Sequence, residues 1–246
     1  MLTIRGIRKT FNPGTVNEVR ALQGVDLTIE PGSFVIVLGM NGSGKSTLLN
    51  AVAGSFYVDE GTIQIANHDV TKWPEHKRAK LIGRVFQNPF SGTAPTMSIA
   101  ENFALASKRG HARGLGWALS PHLMKPLRER IATLKMGLEG RLDNAIGSLS
   151  GGQRQALTLL MATWLKPELL LLDEPFTGLD KPAQDNLSRL FKELTAEGRL
   201  LIASHHDLQT VSGFYDDVLL IKKTQVTFGD VATHFTKENI AAAYGQ

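Results

Sequence analysis

Gly39-Met40-Asn41-Gly42-Ser43-Gly44-Lys45-Ser46 is the stretch from which the rest of the chain can be read. It matches G-x-x-x-x-G-K-[ST], a phosphate-binding loop. The glycines let the backbone curl, so that successive N–H groups point inward at phosphate oxygens. A following helix adds its positive N-terminal end. Lys45 is then placed to reach the β- and γ-phosphates of a nucleotide, the Ser46 hydroxyl to bind Mg2+, and Thr47 to contact a phosphate. Such a loop works only between a strand and a helix. Just before it, Phe34–Leu38 is a continuous apolar run, which suits a strand buried on both faces of a sheet. Just after it, residues 46–53 read as an apolar helix.

Downstream, Leu169-Leu170-Leu171-Leu172-Asp173-Glu174 is a second buried strand, ending in two carboxylates. At a strand tip beside a phosphate loop, an Asp holds Mg2+ directly or through water. The adjacent Glu can orient and polarise an attacking water. Taken alone, the Asp-Glu-Pro that ends this run also suits the start of a helix. Residues 200–203 read as a third buried strand, and 218–221 with 225–228 as a closing hairpin. Near the start, 2–7 and 21–29 alternate as strands on either side of the turn residues Asn12-Pro13-Gly14, and 61–65 alternates again. From 98 to about 136 the pattern is helical, interrupted by a Gly-rich, basic stretch, 108–122, that reads as a mobile loop. A helix follows over 151–165, and Leu187, Leu190, Phe191 and Leu194 mark another, half-buried one. Short apolar strands alternating with amphipathic helices predict an α/β fold: a mainly parallel sheet with helices on both faces, and an inserted helical subdomain.

Between the two motifs lies Leu149-Ser150-Gly151-Gly152-Gln153-Arg154-Gln155. As a bare string it is a Ser/Gly turn opening a helix, and a helix N-terminus attracts anions. LSGGQ upstream of a strand ending in Asp-Glu, in a chain with a P-loop, resembles the signature of the ABC ATPase superfamily, over nearly the whole chain. The resemblance implies a P-loop NTPase of ABC type. Residues 1–86 and 166–246 form the nucleotide-binding core with an antiparallel β subdomain, and 87–165 the helical subdomain with the signature. It implies two subunits packed head to tail, each ATP lying between one P-loop (Gly39, Asn41, Gly42, Ser43, Gly44 and Lys45) and the opposing Ser150, Gly151, Gly152 and Gln153. Glu174 takes the role of base, and Asp173 joins Ser46 and Gln87 at Mg2+. Gln87, in Phe86-Gln87-Asn88-Pro89, matches the glutamine loop that senses the γ-phosphate region and the membrane partner. Phe11 matches the aromatic that stacks on adenine; a plain core residue at a strand end is its other reading. Thr177-Gly178-Leu179-Asp180 matches the loop that crosses the dimer, and keeps Asp180 although Ser-Ala-Leu-Asp is commoner in the family. Ser204-His205-His206-Asp207 offers two candidates for the switch histidine, and the family's His-before-Asp order favours His206.

Composition bounds the setting. The 246 residues are 42% apolar, enough for a sizeable core, and contain no cysteine, which excludes disulfides and thiolate zinc sites. No run approaches the ~18 apolar residues of a spanning helix, and the N-terminus lacks the apolar centre of a signal peptide. These features predict a soluble, cytoplasmic protein, and the resemblance implies a place at the cytoplasmic face of a prokaryotic membrane. The formal charge is +4, and the basic residues Lys108, Arg109, His111, Arg113, Lys125, Arg128 and Arg130 face only Glu129. A solvated face is the plain reading of that stretch; lipid headgroups or an acidic segment of the membrane partner are the others. The resemblance implies separate integral-membrane permease subunits, a second ATPase subunit (a homodimer in the ATP state) and, indirectly, a substrate-binding protein, with no nucleic acid. Phe86-Gln87-Asn88-Pro89, Gly92-Thr93-Ala94-Pro95 and Ile99-Ala100-Glu101-Asn102 look similar to an importer branch linked to aromatic amino acids. The alternative is a soluble ABC ATPase acting on ribosomes or DNA. The single P-loop and the absence of heptads weigh against it.

Overall fold

A computed structural model of the chain describes residues 1–40, 42–88, 90–109, 119, 121–177, 179, 181–204, 215–222 and 225–244. Its centre is a six-stranded sheet. The strands are β3 (Phe34–Leu38), β6 (Ile82–Val85), β7 (Leu169–Asp173), β8 (Leu200–Ser204), β9 (Asp217–Lys222) and β10 (Gln225–Asp230), in the order β10-β9-β3-β8-β7-β6. All neighbours pair in parallel except the β9–β10 hairpin. A second, antiparallel sheet is built from β1 (Leu2–Phe11), β2 (Val19–Ile29), β4 (Glu60–Ile65) and β5 (His68–Asp69), in the order β2-β1-β4-β5. The predicted α/β class holds, and each of the three apolar runs is a central parallel strand.

Those runs are continuous because both sides of each strand are buried. Phe34, Ile36, Leu170, Leu172, Leu201 and Ala203 belong to one core. Their alternating neighbours Val35, Val37, Leu169, Leu171, Leu200 and Ile202 belong to another. The first core is closed by α3 (Ile99–Ser107), α4 (Pro121–Ala132), α5 (Gly151–Thr163) and α6 (Lys181–Ala196), through residues such as Phe103, Ile131, Leu157 and Phe191. The second is closed by α1 (Lys45–Ala53) and by the inner face of the antiparallel sheet, through Leu48, Val52, Ile4, Ile63 and Leu27. Each fully buried Leu, Ile, Val or Phe contributes about 1.5–3 kcal/mol, so the two cores hold the strands from opposite sides.

The sequence pattern does not mark β5, β6, the short α2 (Glu75–Arg78), a 3-10 turn at Ile146–Ser148, or two terminal helices, α7 (Val231–His234) and α8 (Lys237–Tyr244). Of the stretch read as a loop, residues 110–118 and 120 lie outside the described residues, whereas 121 and 122 begin α4. Gly83 in β6 answers a packing demand. A Cβ there would stand 2.6 Å from the Ala162 carbonyl of α5 and 2.6 Å from Leu170 Cδ2.

α1, the helix that carries the phosphate loop, is anchored at its far end. Gly54 adopts a left-handed conformation (φ 84°) and its N–H reaches back to the Asn50 and Ala51 carbonyls. Arg78, only 1% exposed, adds a buried cap. Its guanidinium donates to the carbonyls of Ala51 (2.7 Å), Val52 (2.8 Å), Trp73 (2.9 Å) and Thr71 (3.1 Å). A cation at a helix C-terminus is favoured by the dipole, and a planar fork with several donors serves four acceptors that one ammonium cannot. Arg78→Met is therefore expected to cost about 3 kcal/mol, read as a lower urea midpoint, and Arg78→Lys to recover little of that loss.

Candidate active site

Strand register decides where the chemistry sits. Ser204 pairs with Val37 on one side and with Asp173 on the other. The carboxyl ends of β3, β7 and β8 therefore lie side by side, the edge of an open α/β sheet where ligands bind. A cleft of about 430 Å3 opens there, lined among others by Phe11, Lys45, Ser46, Gln87, Asp173 and Glu174.

The phosphate loop turns out of β3 through glycines in left-handed conformations, with φ of 147° at Gly39, 78° at Gly42 and 109° at Gly44. At Gly39 space is as limiting as conformation: a Cβ would run into the Ile221 carbonyl and stand 2.8 Å from Ser43 Oγ. Lys45 is buried, and its ammonium donates to the carbonyls of Gly39 (2.5 Å) and Met40 (2.9 Å) within the curl. Burial holds its pKa below the usual lysine range, while the Glu174 carboxylate pulls the other way. α1 starts at Gly44 with no side-chain cap and no acidic residue in its first turn. Its first N–H groups and the Lys45 ammonium thus converge on a place suited to an anion. Ser46 is exposed in the cleft and Thr47 half-buried. Ser43 is buried, and its hydroxyl has no hydrogen-bond partner.

The carboxylates are held by a chain of hydrogen bonds. Ser204 Oγ donates to Asp173 Oδ1 (2.5 Å) and accepts from the Glu174 N–H (3.3 Å). Glu174 Oε2 accepts from Gln87 Nε2 (2.9 Å) and from Thr177 Oγ1 (3.1 Å). Glu174 is buried, and its backbone sits at φ 47°, a left-handed conformation unusual for a residue with a Cβ. At the other end of the cleft, Phe11 stands at the tip of β1. Its ring meets the edge of Phe56 (centroids 5.2 Å apart, planes at 82°), and the Lys9 ammonium lies 5.6 Å from its centroid. Phe11 is half-buried and lines the cleft.

Among the described residues, no group of three or more His, Cys, Asp or Glu could hold an ion by itself. Ser46, Gln87 and Asp173 bring a few hard oxygen donors to the cleft beside the loop. That set fits Mg2+, which binds through one or two carboxylates, waters and substrate phosphates.

Ser150, Gly151, Gly152 and Gln153 are not among the residues lining this cleft. They open α5, where Ser150 Oγ accepts from the Gln153 N–H (3.3 Å) and Gln153 Oε1 accepts from the Ser150 N–H (3.3 Å), a reciprocal capping box. Ser150 and Gly151 are exposed. Asn41, Asp180, His205 and His206 lie outside the described residues.

Some site residues escaped the sequence reading. Arg20 lines the cleft and pairs with Glu18 at 3.0 Å. Ser204 was visible only as the frame of a histidine motif. Arg154 has no role marked by the sequence pattern. Its buried guanidinium donates to the carbonyls of Leu149 (2.8 Å), Gly147 (3.1 Å) and Ile146 (3.4 Å), and lies 3.8 Å from the centroid of Phe90. Arg154 therefore fixes the turn into the signature helix against the segment that follows Gln87.

Comparison with known proteins bears on the fold and the family. The family model described as "ABC transporter" matches residues 22–177. The "Tyrosine transport ATP-binding protein" of Clostridioides difficile is 34% identical over 229 residues, 92% of this chain and 90% of that protein. The "Zinc transport system ATP-binding protein TroB" of Treponema pallidum is 34% identical over 221 residues, 90% of this chain and 80% of that protein. A dimeric ATP-binding cassette in a post-hydrolysis state, bound to ADP and Pi, superposes with a TM-score of 0.79 at 25% identity, covering 94% of this chain and 99% of the other. No helix among the described residues is long and apolar enough to cross a membrane. A phosphate loop beside a supported carboxylate, a signature turn exposed at the start of a separate helix and a family match over most of the chain lead to one conclusion: the chain belongs to the ABC transporter family, as its ATP-binding, ATP-hydrolysing subunit.

Proposed function

We propose that two copies of this chain clamp two ATP molecules head to tail at the inner face of a prokaryotic membrane and energise import through separate permease subunits fed by a binding protein. The observation that carries the reading is the separation of the two half-sites: Gln87, Asp173 and Glu174 gather with Lys45 in one cleft, while the capped N-terminus of α5 stands exposed elsewhere. One chain holds two unlike halves of a site, which two copies can complete. Residues 1–86 and 166–246 act as the nucleotide-binding core in this reading, and 87–165 as the helical subdomain that meets the permease. The relatives named for tyrosine and for zinc transport support solute transport as the task. The tyrosine relative agrees with the aromatic amino-acid branch that the sequence resembles.

In the proposed cycle, Phe11 packs on adenine, and the phosphate-loop N–H groups and Lys45 hold the β- and γ-phosphates. Ser46, Gln87 and Asp173 would hold Mg2+, which supplies positive charge against the phosphate oxygens when bound. The Ser150 hydroxyl of the opposing copy accepts a cap bond at its oxygen, so its proton remains to donate to the γ-phosphate. Glu174 takes a proton from the attacking water, as that oxygen bonds to phosphorus and the bond to ADP breaks. His206 adds charge on the γ-phosphate, and Asp180 contacts the other subunit. Gln87, bonded to Glu174 at 2.9 Å, links the base to the helical subdomain. Closure on ATP and opening after hydrolysis then follow from unequal affinity for two states.

Glu174→Gln is expected to lower kcat by a factor of about 100 or more while retaining ATP binding, and to elute as a dimer with ATP. A monomer under those conditions would remove Glu174 from the role of base. A second expectation concerns the shared site. Lys45→Ala and Ser150→Phe should each be inactive alone, yet mixing them should restore ATPase activity. The mixed dimer contains one site with Lys45 on one side and Ser150 on the other, and no recovery would rule out the head-to-tail arrangement.

A further inference from the structure

β6 breaks its own pattern at one position. At the edge of the sheet it places Ile82 in the core beneath α1 and Val85 in the opposite core. Alternation brings the face of Ile82 back at residue 84. An apolar side chain there would extend the same core, and the chain has Arg84 instead. Its half-buried guanidinium reaches several elements. It donates to Asn50 Oδ1 of α1 (2.5 Å) and to Ser55 Oγ just beyond that helix (3.2 Å). It lies over the Phe86 ring, 4.7 Å from the centroid, and 3.7 Å from the Glu75 carboxylate of α2. Glu75 is more than half exposed, and an ion pair of that kind contributes little to stability. The contacts that set Arg84 apart are those to Asn50 and Phe86.

Both partners stand next to residues of the nucleotide cleft. Asn50 follows Ser46 by four residues, so the two share a face of α1, about one 5.4 Å turn apart. A small space of about 60 Å3 between α1 and the strand tips is bounded by Ser46, Asn50, Arg84 and Asp173 among others. Phe86 directly precedes Gln87, whose amide donates to Glu174 at 2.9 Å. We propose that Arg84 is a positioning residue: by bonding to Asn50 and stacking on Phe86 it fixes the spacing between the phosphate-loop helix and Gln87, and so the place at which Gln87 meets Glu174. The proposal rests on the roles given above to Gln87 and Glu174. A planar fork can lie on a ring and bond to an amide at once, which an ammonium or an apolar side chain cannot. The phosphate loop keeps its own internal bonds, from Lys45 to Gly39 and Met40. Loss of Arg84 is therefore felt in turnover and not in the hold on nucleotide, and a misplacement of about 1 Å at a reacting group can cost about a hundredfold in rate.

The test compares full-length Arg84→Ala, Asn50→Ala and Gln87→Ala, singly and combined, in steady-state ATPase assays at saturating Mg2+, with urea midpoints as the measure of stability. Arg84→Ala and Asn50→Ala are each expected to lower kcat about tenfold, with KM for ATP within about twofold of wild type. Together they should lose no more than Arg84→Ala alone, since both cut the same link. Arg84→Ala should cost nothing further in a Gln87→Ala background. Hydrogen exchange, followed by mass spectrometry, should rise in the peptide around Gln87 and stay unchanged in β7 and β8. A merely structural role would instead lower the urea midpoint and raise exchange throughout. Undiminished kcat in Arg84→Ala, a loss confined to KM, or a loss that multiplies with that of Gln87→Ala overturns the proposal. Should Arg84→Ala fail to fold, Asn50→Ala decides by the same criteria. A wild-type kcat in Gln87→Ala itself removes Gln87 from the chemistry, and the reading of the site falls together with the proposal. A slow Gln87→Ala beside a full-speed Arg84→Ala overturns the proposal alone.

Discussion

Burial of β3, β7 and β8 on both faces is the constraint on which the rest of the molecule depends. A strand apolar on both sides has no face left for chemistry, so polar groups can appear only at its ends. In this chain they do. β3 gives way to the phosphate loop, β7 ends in Asp173 with Glu174 next, and β8 ends in Ser204. Hydrogen-bonded register then brings three separate parts of the sequence to one edge. The antiparallel sheet and α1 close one core, and the helical layer closes the other, so each half of the protein depends on the same strands for its interior.

The parts of the site that were legible in sequence are those whose geometry is encoded locally. Gly39, Gly42 and Gly44 advertise a loop that only glycines can make, and Lys45 follows as part of the same turn. The carboxylates announced themselves by ending an apolar run. What escaped depends on contacts distant in sequence. Arg78 looks like an ordinary surface charge until Ala51 and Val52, more than twenty residues earlier, deliver their carbonyls to it. Ser204 acquires its role only through register with β7. β6 is four residues long, at the sheet edge, and includes Gly83 and a half-buried Arg84, so neither alternation nor a long apolar run marked it. The fold class was readable because the buried runs are uninterrupted and alternate with helices, and the two terminal helices were not because they are short and weakly patterned.

Besides the packed core they share, the helical layer and the strand ends are joined by polar side chains. Arg154 joins the turn before α5 to Phe90, and Gln155 donates to the Pro175 carbonyl just past the carboxylates (3.4 Å). Gln87, three residues before Phe90, donates to Glu174. A shift of the segment after Gln87 is therefore met by polar contacts at both the base and the signature turn, a physical link that does not rely on the packed core.

Glu174 carries a cost of a different kind. A left-handed backbone at a residue with a Cβ opposes folding by about 1–2 kcal/mol, and glycine at position 174 would remove that penalty together with the carboxylate. Variants picked for heat resistance and variants picked for turnover should therefore part ways at this position. The most durable form of the protein and the working form are different molecules, and the distance between them is set by one backbone torsion.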